Sequence, residues 1–140
     1  MAQKVREVMT GAPVTVRPDA DLRTVARLMR DEGVGDVLVT TDDDRLRGLV
    51  TDRDLVVRAM AEGGDPEQTA VSELCSGHLA AVAPDDDLKK VVQLMREHSV
   101  RRIPVVEDER PVGVVSLGDL AIERDEGSAL ADISAAKTNR

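Results

Sequence analysis

Phenylalanine, tyrosine and tryptophan are absent from all 140 residues. A core must therefore be built from Val, Leu, Ile, Met and Ala, and no nucleobase can stack on an aromatic ring. Single-strand nucleic-acid platforms depend on such rings. Positive charge is scarce too: 19 Lys and Arg against 27 Asp and Glu leave a net charge of −8, which opposes attraction to phosphate backbones. Nucleic acid is not an expected partner. No apolar run approaches the ~20 residues of a membrane span, and the stretch Met1-Ala2-Gln3-Lys4-Val5-Arg6-Glu7 lacks the apolar core of a signal peptide. Neither membrane insertion nor export is expected. The single cysteine, Cys75, precludes an internal disulfide and suits a reducing cytoplasm. What remains is an acidic, soluble, cytoplasmic chain, with the length of one compact domain of roughly 100–200 residues.

Against these absences stands a duplication. A shift of 66 places lays Val16-Arg17-Pro18-Asp19-Ala20-Asp21-Leu22 on Val82-Ala83-Pro84-Asp85-Asp86-Asp87-Leu88, and Leu28-Met29-Arg30 on Leu94-Met95-Arg96. After one deletion the offset becomes 65, and Gly48-Leu49-Val50-Thr51-Asp52-Arg53-Asp54-Leu55 falls on Gly113-Val114-Val115-Ser116-Leu117-Gly118-Asp119-Leu120. Two copies are too few for a solenoid. Closure of one copy on the other is the expected arrangement, with a ligand cleft at the interface of the two. The copies are expected over residues 4–64 and 65–126, followed by a polar tail over 127–140.

Each copy reads as strand, helix, strand, strand, helix. Val14-Thr15-Val16 alternates and stops at Pro18. Asp21 then suits a helix N-cap, and Leu22, Val25, Ala26 and Met29 share one helical face. Copy two repeats this with Asp87 as cap and Leu88, Val91, Val92 and Met95 as the stripe. Gly33 suits the helix stop. Val37-Leu38-Val39-Thr40 and Leu46-Arg47-Gly48-Leu49-Val50 flank an acidic turn and read as a hairpin, with counterparts Ile103-Pro104-Val105-Val106 and Val112-Gly113-Val114-Val115. Pro104 demotes its strand to an edge or turns its missing N–H away from the ladder. A closing helix opens at Thr51, carries Leu55, Val56, Val57 and Met60, and ends near Gly63-Gly64.

The pattern Gly48-Leu49-Val50-Thr51-x-x-Asp54, repeated as Gly113-Val114-Val115-Ser116-x-x-Asp119, has two compatible readings. One is a capping box, hydroxyl at the N-cap and acid three residues on. The other is a ligand site: free N–H groups at a helix start hold an anion, and the carboxylate accepts hydrogen bonds from two neighbouring sugar hydroxyls. The local sequence does not choose between them. Arg101-Arg102 stands where copy one has Gly35-Asp36; its bland reading is a solvated pair, its functional one a phosphate fork. Arg53 is a third candidate cation. The acidic runs 42–44 and 85–87 are explained by turn and cap chemistry without a metal. His78 and His98 lie in different elements and form no ligand spacing. Cys75 occupies the place of Met9 in the other copy, which favours a packing role. With neither a phosphate-cradling Gly loop nor a nucleophile–base set, no enzyme is expected.

The chain resembles the CBS domain, named after cystathionine β-synthase, in a tandem pair. The resemblance rests on Met9-Thr10 and Cys75-Ser76, on the Val-x-Pro-Asp entry to the first helix, on Arg102-Ile103-Pro104-Val105-Val106, and above all on the doubled Gly-hydrophobic-hydrophobic-Thr/Ser-x-x-Asp. It covers about residues 4–124 and is closest in character to the small stand-alone bacterial CBS-pair proteins. It implies an α+β fold of two β-α-β-β-α motifs joined as a pseudo-two-fold pair, which often forms a homodimer. It also implies a regulatory module that binds an adenosine-containing ligand (AMP, ADP, ATP or S-adenosylmethionine), requires no cofactor, and acts on an unidentified partner protein. By resemblance Asp54 and Asp119 take ribose hydroxyls, and Thr51 and Ser116 sit near phosphate. Backbone at Thr15-Val16 and Ala81-Val82 meets the adenine edge, with Val37 and Ile103 among the apolar walls. Arg101 and Arg102 reach phosphate at the site carrying Asp54, which leaves the Asp119 site short of cations. The alternative is a structural or stress-associated interaction protein whose clefts are vestigial.

Overall fold

The computed structural model describes residues 3–75 and 79–124; Ser76, His78 and the tail expected over 127–140 lie outside these. The element order is a 3₁₀ turn (Val5–Glu7), β1 (Thr10–Gly11), β2 (Thr15–Val16), α1 (Leu22–Glu32), β3 (Asp36–Thr40), β4 (Leu46–Thr51), a π-helix (Asp54–Met60), a second 3₁₀ turn (Val71–Leu74), α2 (Leu88–His98), β5 (Arg102–Glu107), β6 (Arg110–Ser116) and α3 (Leu117–Arg124). Strands β2, β3 and β4 make one sheet in that order, and β1, β6 and β5 make another. The mixed α+β character agrees with the doubled pattern of strands and helices in the sequence.

The compact units do not coincide with the sequence repeats. Among the described residues the first unit takes 14–75 with Leu79, whereas the second joins 3–13 to 80–124. Each repeat is thus completed by the segment that opens the other repeat. The hydrogen bonds that attach these two straps are equivalent. In the first unit Val71 N–H donates to Ala20 O at 2.7 Å, Ser72 N–H to Pro18 O at 3.0 Å, and Leu22 N–H to Thr69 O at 3.2 Å. In the second unit the same bonds run from Val5 to Asp86 at 2.9 Å, from Arg6 to Pro84 at 2.9 Å, and from Leu88 to Gln3 at 3.0 Å. Each strap also buries a valine completely, Val71 in one core and Val5 in the other.

Within the units the expected helices form for the expected reasons. The Asp21 carboxylate accepts from Thr24 N–H at 2.8 Å and caps α1, and Asp87 caps α2 through Lys89 N–H at 2.8 Å. Leu22, Val25 and Met29 are buried, as are Leu88, Val91 and Met95. Ala26 departs from its expected face and is exposed, while Leu28 packs on the core instead. Gly33 ends α1 at φ 66°, its N–H donating to Arg30 O, and Ser99 holds the same left-handed position after α2 at φ 54°.

Three further differences have local causes. The first strand of repeat two shrinks to a single parallel bridge, Val82 with Val105. In the first unit Leu38 N–H donates to Val14 O at 2.9 Å and helps join β2 to β3; its counterpart, Pro104, has no N–H to give. The hairpin turn is also tighter in repeat two, where Asp108 and Glu109 both take positive φ between paired Glu107 and Arg110, the two-residue loop favoured by strand twist. Finally, the helix after β4 is wound as a π-helix over Asp54–Met60, with Ala61 N–H donating to Val56 O. Over seven residues an apolar pattern does not separate the two windings. The wider turn leaves Ala59 buried and packs Leu55 on the core, while Val56, Val57 and Met60 face solvent.

Candidate functional site

β4 ends at Thr51, paired with Asp36 at the start of β3, and β6 ends at Ser116, paired with Arg102 at the start of β5. One further backbone bond fixes each of these corners: Asp52 N–H donates to Gly35 O at 3.0 Å, and Leu117 N–H to Arg101 O at 2.9 Å. Directly after each strand end the chain turns into a helix, which brings the carboxylate three residues on back onto the strand end.

Both capping boxes are made. Asp54 Oδ2 accepts from Thr51 N–H at 2.9 Å and from the Thr51 hydroxyl at 3.0 Å, and Thr51 Oγ1 accepts from Asp54 N–H at 3.2 Å. In the second unit Asp119 Oδ2 accepts from Ser116 N–H at 2.8 Å, and Ser116 Oγ accepts from Asp119 N–H at 3.1 Å. The caps use one carboxylate oxygen of each acid. A carboxylate offers about four acceptor sites, so capping leaves acceptors for two further hydroxyl donors. The capping reading is therefore realised, and it is compatible with the ligand reading. Asp54 Oδ1 faces the Arg58 guanidinium at 3.8 Å.

The candidate residues fall into two sets, one in each unit. Thr15, Val16, Val37, Thr51, Arg53 and Asp54 share the first unit; Ala81, Val82, Arg101, Arg102, Ile103, Ser116 and Asp119 share the second. In the first set, Thr15-Val16 and the Thr51 corner flank β3 on its two sides. In the second, the Val82 bridge and the Ser116 corner flank β5 likewise. Val37 and Ile103 are fully buried, so their side chains belong to the cores. Arg53 and Arg101 are exposed and Arg102 is half-buried. Within its own unit Arg102 stands opposite Ser116, where Asp36 stands opposite Thr51.

The acidic turn of the first hairpin is held by arginines. Arg17 donates to the Thr40 hydroxyl at 3.2 Å and to Asp44 at 3.0 Å, and Arg45 pairs with Asp43 at 3.0 Å. Among the described residues no group of three or more His, Cys, Asp or Glu side chains is placed to hold a metal ion, and no helix is long and apolar enough to cross a membrane. Cys75 packs against Gly48, in keeping with its expected packing role. Burial pushes its thiol pKa up, against the smaller opposing effect of the Arg47 guanidinium. Sequence reasoning missed Arg58, whose guanidinium donates to Leu74 O at 2.6 Å. The signal was thin, because position 123 of repeat two carries Glu instead.

Comparison with known proteins agrees with this architecture. The family model described as the CBS domain matches residues 5–60 and again residues 71–125. The CBS domain-containing protein YhcV of Bacillus subtilis is 40% identical over 134 residues, covering 93% of this chain and 94% of that protein. The crystal structure of Hypoxic Response Protein I, which holds two coordinated zinc ions, matches with a TM-score of 0.78 at 34% identity, over 85% of this chain and 97% of that one. A CBS domain pair in complex with 5′-methylthioadenosine and S-adenosyl-L-methionine matches with a TM-score of 0.83, over 91% of this chain and all of that one; at 18% identity this is a likeness of fold. Stand-alone CBS domain proteins are generally regulatory rather than catalytic. Two matched copies that span most of the sequence, together with the doubled corner of strand, hydroxyl and carboxylate, make this chain a member of the CBS domain family.

Proposed function

We propose that the chain is a nonenzymatic, cytoplasmic sensor of an adenosine-containing ligand. Asp54 and Asp119 accept the ribose hydroxyls, and backbone at Thr15-Val16 and Ala81-Val82 recognises the adenine edge. Thr51, Ser116, Arg53, Arg101 and Arg102 serve the phosphates. The observation that supports this most is the repeated corner, in which each capping carboxylate keeps unused acceptors at the end of a strand whose neighbour, β3 or β5, also pairs with Thr15-Val16 or Val82. Without aromatic rings, base recognition falls to aliphatic contacts and backbone hydrogen bonds. Adenine and guanine exchange donor and acceptor at the six-position, and a mismatch leaves buried groups unpaired at about 1–3 kcal/mol each. The test is a thermal-shift screen followed by circular dichroism, against AMP, ADP, ATP, GMP and S-adenosylmethionine. A ligand at 100 times its Kd should add about 2.7 kcal/mol of stability; no shift with any adenosine compound would overturn the proposal.

The exposed apolar side chains Val56, Val57 and Met60 favour a second activity, self-association into a homodimer through which an unidentified partner is regulated. The same residues support the reading of a structural, stress-associated assembly protein with vestigial clefts. Sedimentation equilibrium of wild type and Met60→Asp tests the interface that both need: a dimer that the charge dissociates supports it, and a monomeric wild type removes it.

A further inference from the structure

We infer that Arg58 is a positioning residue that ties the sugar-binding carboxylate of Asp54 to the strap that closes the first unit. The inference rests on the proposed ligand reading of Asp54, but its geometry stands apart from any ligand. One guanidinium nitrogen, Nη1, donates to the Leu74 carbonyl at 2.6 Å and lies 3.8 Å from Asp54 Oδ1. Leu74 is the last residue of the 3₁₀ turn of the strap, and Cys75 follows it, seated against Gly48 with its thiol 3.6 Å from Val71 O. The other oxygen of Asp54 is taken by Thr51. Oδ1 is thus the oxygen left for sugar hydroxyls, and it is also the one whose negative charge steadies Arg58 over the strap carbonyl. Hydroxyl donors on Oδ1 weaken that attraction, so occupancy of the site loosens the strap.

Cys75 is the sole thiol of the chain, and its half-buried position makes it a specific reporter of strap opening. The experiment measures the rate of Cys75 modification by a thiol reagent across pH and compares the rate per ionised thiolate, because the charges of Asp54 and Arg58 also act on the ionisation of that thiol, for wild type, Arg58→Met, Asp54→Asn, the double variant and Arg58→Lys. Asn retains the capping acceptor, so Asp54→Asn removes the charge without removing the cap. Arg58→Met should speed labelling about tenfold, the loss expected for a hydrogen bond made by a charged group. Asp54→Asn should speed it about twofold, the worth of a half-exposed ion pair one turn apart, but should add nothing in the Arg58→Met background. Arg58→Lys, which keeps the charge, should restore the dependence on Asp54. Saturating adenosine should speed labelling of wild type about twofold and leave Arg58→Met unchanged. Wild-type labelling in Arg58→Met, or an equal Asp54→Asn effect in both backgrounds, overturns the role of Arg58. An adenosine effect of equal size in wild type and Arg58→Met overturns the transmission. Absence of adenosine binding by calorimetry overturns the ligand reading alone, since the unliganded variants still decide on Arg58.

Discussion

A β-carbon added at Gly48 would lie 2.9 Å from both Cβ and Sγ of Cys75, so β4 and the strap of the first unit touch at a point where only glycine fits. The second unit repeats the contact with different atoms. There a β-carbon on Gly113 would meet Met9 Sδ and Thr10 O, each at 2.8 Å. Cys75 and Met9 are equivalent by the 66-residue shift, and each lies in a strap that opens one repeat and completes the other. The glycine of the family pattern is thus explained by packing: it admits the strap.

Gly48→Ala and Gly113→Ala should both destabilise, by about 1–3 kcal/mol as overpacked sites do. Gly113→Ala should be the worse of the two, because a backbone carbonyl is among its neighbours and cannot rotate aside. Urea unfolding followed by far-ultraviolet circular dichroism measures both. Equal, negligible losses would show that the straps are not held at these points.

Ser99→Gly should stabilise the chain. Ser99 ends α2 in the left-handed region, where a side chain costs about 1–2 kcal/mol. The greater chain entropy of glycine offsets about 0.5–1 kcal/mol of that, leaving a gain of about 0.5–1 kcal/mol. Repeat one already has Gly33 there. The complementary variant, Gly33→Ser, should lose stability by a similar amount in the same unfolding assay.

Acid should weaken the fold through two carboxylates. The Thr24 backbone N–H lowers the pKa of Asp21, and the Ala83 backbone N–H, at 2.8 Å, lowers that of Asp86 with help from Lys90. Each group is depressed in the folded state, so its contribution is complete above the unfolded carboxylate pKa of about 3.9 and is lost as pH falls through the folded value. Stability measured from pH ~7 down to ~3 should therefore decline at the acid end, and Asp21→Asn and Asp86→Asn should decline less steeply. A variant that tracks wild type at every pH would contradict the assignment.

The residues that cap and pattern the helices made much of the fold legible: Asp21, Asp87, Gly33 and the stripes at Leu22 and Leu88 act through neighbours three or four places away. The straps were not legible, because Val5 and Val71 serve the opposite repeat and no local signal records which sheet a short segment joins. Pro104 was legible as a strand anomaly, whereas its consequence, the loss of the bond that Leu38 makes, required the partner strand. At the site the doubled Thr/Ser-x-x-Asp pattern was visible at once. That its cap and its ligand chemistry divide one carboxylate between two oxygens was not, since a sequence does not assign lone pairs.

Arg101→Ala and Arg102→Ala should weaken AMP binding about tenfold, as loss of a charge-assisted contact does, and leave adenosine within about twofold of wild type. Titration calorimetry with both ligands reads the difference. An equal loss for adenosine would remove the phosphate role from these arginines.

The most direct measurement is calorimetry of AMP on wild type, Asp54→Asn, Asp119→Asn and the double variant, since Asn keeps each cap while removing the charge that a sugar diol needs. The account predicts that AMP binds wild type and that Asp54→Asn weakens it about tenfold or more, the worth of hydrogen bonds to a charged group. Asp119→Asn should have the smaller effect, and the double variant should bind at least as weakly as Asp54→Asn. AMP affinity unchanged in the double variant, or no binding to wild type, would contradict the account.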